Sequence, residues 1–191
     1  MLEKIPHGVG HALRGVRAGY DKIVSEGEGF VEAPQTIQLL SPAFDDGGTM
    51  PARFTNDGEK LSPPLAWSGV PNDTISLALI VEDPDAPMPE PVTHLLAWDL
   101  PANLTRLEEG HFRSEGHEGE VEPLGRNALL RAAYLAPDPP MGHGRHLYAF
   151  QLFALDRRLN FEYPPGRGAV VEAMNGHVLA KGVLGGIYER A

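Results

Sequence analysis

Cysteine is absent from all 191 residues. That excludes disulfides, a thiolate nucleophile and a cysteine-ligated metal, and it fits a reducing compartment. Also missing is any apolar run near the roughly 18–20 residues that a membrane span needs. The first twenty residues, MLEKIPHGVGHALRGVRAGY, lack the apolar core of a secretory signal, so a soluble, cytoplasmic protein is expected. No basic run offsets a formal net charge of −10. A phosphate backbone would be repelled overall, and no nucleic-acid partner is expected. Internal repeats and low-complexity tracts are likewise missing.

What the chain does have is turn formers, with 22 glycines and 18 prolines. Many turns and short elements favour β-rich structure. Hydrophobic residues at 42% suffice for one domain with a sizeable core. In residues 1–30, Ile5, Val9, Leu13, Val16, Tyr20 and Ile23/Val24 recur at the helical period. Gly8, Gly10, Gly15 and Gly19 weaken a free helix, so this arm needs a surface: its own domain, or a second copy in a homodimer. SEGEGFVEAPQ (25–35) reads as a linker, giving an N-terminal helical arm and linker over 1–35 and a β domain over 36–191. Strand-like runs follow at 36–40, 76–82, 94–100 and 147–155, separated by loops rich in Gly, Pro and Asp. The intervening stretches are not helical in period, which favours an antiparallel β-sandwich over βαβ units. Residues 168–182 have helical periodicity broken near Asn175-Gly176, and 183–190 could close as a last strand.

Two stretches can carry chemistry. In VEDPDAPMPEPVTH (81–94), a strand runs into Asp83-Pro-Asp85-Ala-Pro87. Proline fixes φ and restricts the residue before it, so both carboxylates are aimed. The plainer reading is an Asx-turn in which they cap their own loop. In YLAPDPPMGHGRHLYAF (134–150), a Pro/Gly-rich loop enters a strand. His146 and Tyr148 are two apart and so share a strand face, offering donors to a phosphate or carboxylate. Here the plainer reading is a core tyrosine and a satisfied loop histidine. His7, His11, His111, His117 and His177 are given no site role, and Trp67 and Trp98 are read as core.

Taken in order, 41–67, 81–87, His94, 134–150 and 176–190 resemble the phosphatidylethanolamine-binding proteins, in their bacterial Raf-kinase-inhibitor-like branch. The resemblance spans roughly 38–190. It implies a mainly β fold, an antiparallel β-sandwich of two sheets with a few peripheral helices. It also implies a small pocket for phosphate, phosphorylated small molecules or phospholipid head groups, no cofactor, and a kinase-inhibitor-like regulatory role toward a protein partner. Carried over residue by residue, the ligand-binding set is Asp83, Asp85, Pro87, His94, Pro139, His146 and Tyr148, with Pro140 beside Pro139. The chain departs from the family at Leu95, Ala136, Asp138 and Leu147. Asp138 stands where a small residue often lets its N–H face the anion.

Two carboxylates at an anion site are reconciled if each accepts a histidine N–H and favours the charged ring, whose other N–H then meets the anion. An aspartate could instead accept from an ammonium head group. A non-enzymatic binding protein is the expected function. The alternatives are a metal site from Asp83, Asp85, His94, His143 and His146, or a hydrolase using the same Asp/His cluster. His143-x-x-His146 lies in a loop rather than on a helix, and no serine sits in a G-x-S-x-G elbow.

Overall fold

The computed structural model describes residues 7–114 and 123–190. Ile5 and His117 lie outside these. The elements in chain order are α1 (His7–Ala12), β1 (Gln38–Leu40), β2 (Gly48–Thr49), β3 (Leu65–Ser68), β4 (Ser76–Asp83), β5 (Val92–Pro101), β6 (Arg106–Leu107), β7 (His146–Leu155), α2 (Arg167–Met174) and β8 (Val178–Tyr188). A five-stranded sheet runs β2-β8-β7-β4-β5, and a three-stranded sheet runs β1-β3-β6. All pairings are antiparallel except β2 with β8. The fold is mainly β with two sheets and few helices, as the turn-rich sequence implied.

Strand alternation divides the apolar residues between two cores. Leu77, Leu79 and Val81 of β4 join Tyr148, Phe150, Leu152 and Ala154 of β7 in the core that also holds Leu39, Leu65 and Trp67 of the smaller sheet. Ala78 and Ile80 point the other way, with Phe153, Leu155, Leu96 and Trp98, into a second core. Val24 and Phe30 of the N-terminal segment and Val170 and Met174 of α2 close this outer core. β4 and β7 are therefore covered on both faces, which explains their unbroken apolar runs.

The N-terminal segment differs from the expected helix. α1 spans six residues, and single 3-10 turns follow at Tyr20–Lys22 and Val24–Glu26. The stretch read as a linker is docked on the outer face of the larger sheet. Lys181 Nζ donates to Ser25 O at 2.7 Å and to Phe30 O and Val31 O at 3.0 Å each. Ser25 N–H donates to Gln151 Oε1 at 2.7 Å, and Val24 N–H to the buried Glu82 at 2.9 Å. Near the other end, α2 stops where the sequence broke, because Gly176 takes φ 77°, a left-handed conformation that glycine adopts freely. The strand resumes at Val178, so residues 178–182 are β rather than helix. Among the described residues no helix is long and apolar enough to cross a membrane.

Candidate functional site

The site lies where the exit of β4, the start of β5 and the entry of β7 meet. Asp83 ends β4, opposite Val92. Between the Val81–Leu95 and Glu82–Thr93 pairs the register skips His94. This bulge re-aims His94 to the side that Leu95 faces. There its ring meets the Tyr148 ring edge-on, centroids 5.1 Å apart. His146 and Tyr148 do share a face, with rings stacked at 6.4 Å.

A cavity of about 150 Å³ opens here, lined by Asp83, Met88, Val92, His94, Ala128, Leu129, Leu135 and Asp138. Of the seven residues expected to bind ligand, Asp83 and His94 line it. Asp85, Pro87, Pro139, His146 and Tyr148 are not among its lining residues. The sequence reading missed Met88, Val92, Leu129 and Leu135; their apolar side chains carried no signal beyond proximity to the motifs. Asp138 was noted for its departure from the family, and it does reach the wall.

Asp83 makes the expected turn and meets a histidine, but that histidine does not turn its other nitrogen to the cavity. Asp83 Oδ1 accepts the Asp85 N–H at 2.8 Å, an Asx-type turn. Its Oδ2 meets His146 Nδ1 at 2.7 Å. The other nitrogen of His146 does not face the cavity: Nε2 lies 2.8 Å from His143 Nδ1. His143 is thus a member of the cluster that the sequence reading placed only on the metal list. Among the described residues no group of three His, Asp or Glu side chains is arranged to hold a metal ion. Asp85 works away from the cavity. It accepts the Leu147 N–H at 2.8 Å and pairs with Arg17 at 2.7 Å.

His94 is held by a carbonyl rather than an aspartate, its Nδ1 lying 2.6 Å from Leu135 O. Burial holds its pKa below the ordinary imidazole value, with the Asp83 charge pulling the other way. A neutral ring that donates through Nδ1 presents Nε2 as an acceptor. Asp138 accepts from Arg190 Nη1 at 2.8 Å. Burial works to raise the Asp138 carboxyl, but hydrogen bonds and charge, Arg190's among them, hold it below its usual range. Tyr148 is fully buried, and its hydroxyl has no hydrogen-bond partner among the described residues. Burial, and then the Asp83 charge, push that phenol well above its ordinary value. The cavity wall therefore shows two carboxylates and one imidazole acceptor, with apolar surface between them and a protonated phenol behind.

The family model described as phosphatidylethanolamine-binding protein matches residues 40–189. A UPF0098 protein from Methanothermobacter thermautotrophicus is 42% identical over 154 residues, which cover 81% of this chain and 99% of that protein. Among solved structures, a phosphatidylethanolamine-binding protein homologue from Chlamydia trachomatis is 34% identical with a TM-score of 0.73. Escherichia coli YbcL, described as a member of the mammalian family, is 28% identical with a TM-score of 0.75. In each case 82% of this chain and 99% of the other are covered.

Proposed function

The chain belongs to the phosphatidylethanolamine-binding protein family, and we propose that it is a non-enzymatic binding protein for small phosphorylated amines, phosphoethanolamine-type head groups among them, taken up amine end first. One observation carries this orientation: the polar side chains among the lining residues are Asp83, Asp138 and a His94 kept neutral by burial, each able to accept. An ammonium supplies three donors and a positive charge to such a wall, whereas a phosphate would meet two carboxylates. The ordered proline loops keep the wall fixed, which lowers the ordering cost of binding.

A neighbouring recess of about 280 Å³ supports a phosphorylated ligand. It shares Ala128 with the cavity and is lined by Thr93, Arg126, Asn127, Leu130, Gly166 and Arg167. The Arg126 guanidinium can receive the outward phosphate, whereas Arg167 is already paired with Glu82 and bonded to Lys22 O. A regulatory role toward a protein partner would follow from presenting or withholding this pocket.

Calorimetric titration of variants tests the orientation by sign. Asp138→Asn should weaken phosphoethanolamine about tenfold, as for loss of one charged hydrogen bond. A phosphate-first pocket would instead bind more tightly once that negative charge is gone. Arg126→Gln should weaken phosphoethanolamine and leave ethanolamine unchanged; equal weakening of both would contradict the outward placement of the phosphate.

A further inference from the structure

Residues 13–19 run across both motif loops. Ala18 N–H donates to Ala86 O at 3.1 Å, and Gly19 N–H to Pro84 O at 2.9 Å. Arg17 pairs with Asp85 at 2.7 Å and donates to Arg145 O at 3.0 Å. Beneath this segment His143 is fully buried. Its Nε2 lies 2.8 Å from Leu13 O and 3.2 Å from Val16 O. Its Nδ1 is 2.8 Å from His146 Nε2, and His146 Nδ1 is 2.7 Å from Asp83 Oδ2.

The protons in this row can be counted. Leu13 O and Val16 O only accept, so His143 Nε2 must carry a hydrogen. Asp83 accepts, so His146 Nδ1 must carry another. The nitrogen–nitrogen contact needs a third. Two neutral imidazoles hold two protons between them. The row is complete only if the pair holds one more, and that positive charge is matched by the Asp83 carboxylate. With two protons, one contact would set lone pair against lone pair in a site closed to water, which is costly.

We propose that residues 13–19 are a clasp latched by this third proton: the docked segment stabilises the charged His143–His146 pair, and loss of the proton unlatches the segment from both motif loops. The charged and titratable groups around the pair fit this. Asp83 faces it from the exit of β4, with Asp85 behind. Tyr148 stacks on His146 from β7, and His94 stands beyond on β5. Arg14 and Arg17 of the clasp pass beside Gly144. Burial, and after it His146, hold His143 below the ordinary imidazole value, and Arg17 adds to this.

The clasp lies outside the part of the chain that the family model matches. The family model begins at residue 40. Because the docked row holds one added proton, docking weakens as pH rises and that proton leaves, and it weakens again in acid, where the undocked rings would take up two.

The test uses the full-length, nitrogen-15-labelled protein. Long-range proton–nitrogen spectra at pH 6 should show three ring N–H protons on His143 and His146 together. Two would overturn the proposal without need of any variant. Exchange of the Ala18 and Gly19 amides, corrected for intrinsic rate, should lose about tenfold in protection when the third proton leaves, the size expected for a hydrogen bond to a charged group. Protection independent of pH would overturn it. His143→Phe should lower protection at pH 6 and abolish the pH dependence, whereas Arg17→Gln should lower protection and keep it. A wild-type dependence surviving in His143→Phe would also overturn the proposal.

Discussion

Glu82 is the firmest test of whether the N-terminal segment is part of the fold. Its side chain is fully buried on the outer face of β4. Oε2 accepts from Val24 N–H at 2.9 Å and from Gln151 Nε2 at 2.8 Å, and Oε1 pairs with Arg167. Glu82→Ala strands the Val24 amide, the Gln151 side chain and one face of the Arg167 guanidinium. Removing one partner of a buried ion pair costs about 3–5 kcal/mol. Arg167 keeps 30% of its side chain exposed and can partly rehydrate, so the lower end applies, about 3 kcal/mol. For a chain of this size that lowers Tm by about 6–12 °C. Glu82→Gln keeps an acceptor and loses the charge, and should cost about 1–2 kcal/mol. Urea unfolding followed by circular dichroism, with calorimetry for Tm, measures both. A cost below about 1 kcal/mol for Glu82→Ala would refute the view that this carboxylate anchors residues 24–31.

Other perturbations have defined outcomes. The folded pKa of His94 lies below its ordinary 6.5, so its contribution is present above pH 6.5 and is lost as pH falls through the folded value. The urea midpoint should drop between pH 7 and pH 5, and His94→Phe should flatten that drop; an unchanged slope would count against a buried neutral His94. Asp57 is held below 3.8 chiefly by its hydrogen bond from Arg190, so its contribution is lost only in stronger acid. Gly10 packs α1 against the second motif loop, where a Cβ would collide with Met141 O. Gly10→Ala should therefore raise amide exchange in residues 7–19 with little effect on β7, and uniform loss of protection would contradict a local contact.

Much of the scaffold was legible in the sequence because β4, β5 and β7 carry long apolar runs bounded by turn residues. The short strands β2, β3 and β6 were not, since their pairing depends on distant partners; residues 61–67 read as a loop, yet β3 starts at Leu65. The arm was misread for a physical reason. Its apolar residues follow a helical period, but glycines at 8, 10, 15 and 19 weaken any long helix, and the docking surface is a polar layer of Glu82, Gln151 and Lys181 beside the outer core. These three are scattered in sequence and share a face only once the strands pair. At the site, the paired aspartates and the His–Tyr motif were visible as residue types. Their division of labour was not. It turns on a bulge that re-aims His94, and on carbonyls at Leu13, Val16 and Leu135 that no side-chain pattern announces.

The most direct measurement of the central claim is an NMR titration of the full-length protein with ethanolamine, phosphoethanolamine and inorganic phosphate in parallel. The account predicts saturable shifts of the His94 ring and of the Met88, Val92 and Leu135 amides with both amines. Phosphoethanolamine should bind more tightly, and phosphate alone should leave these signals unmoved. Phosphate shifting the same signals at concentrations where ethanolamine does nothing would contradict it.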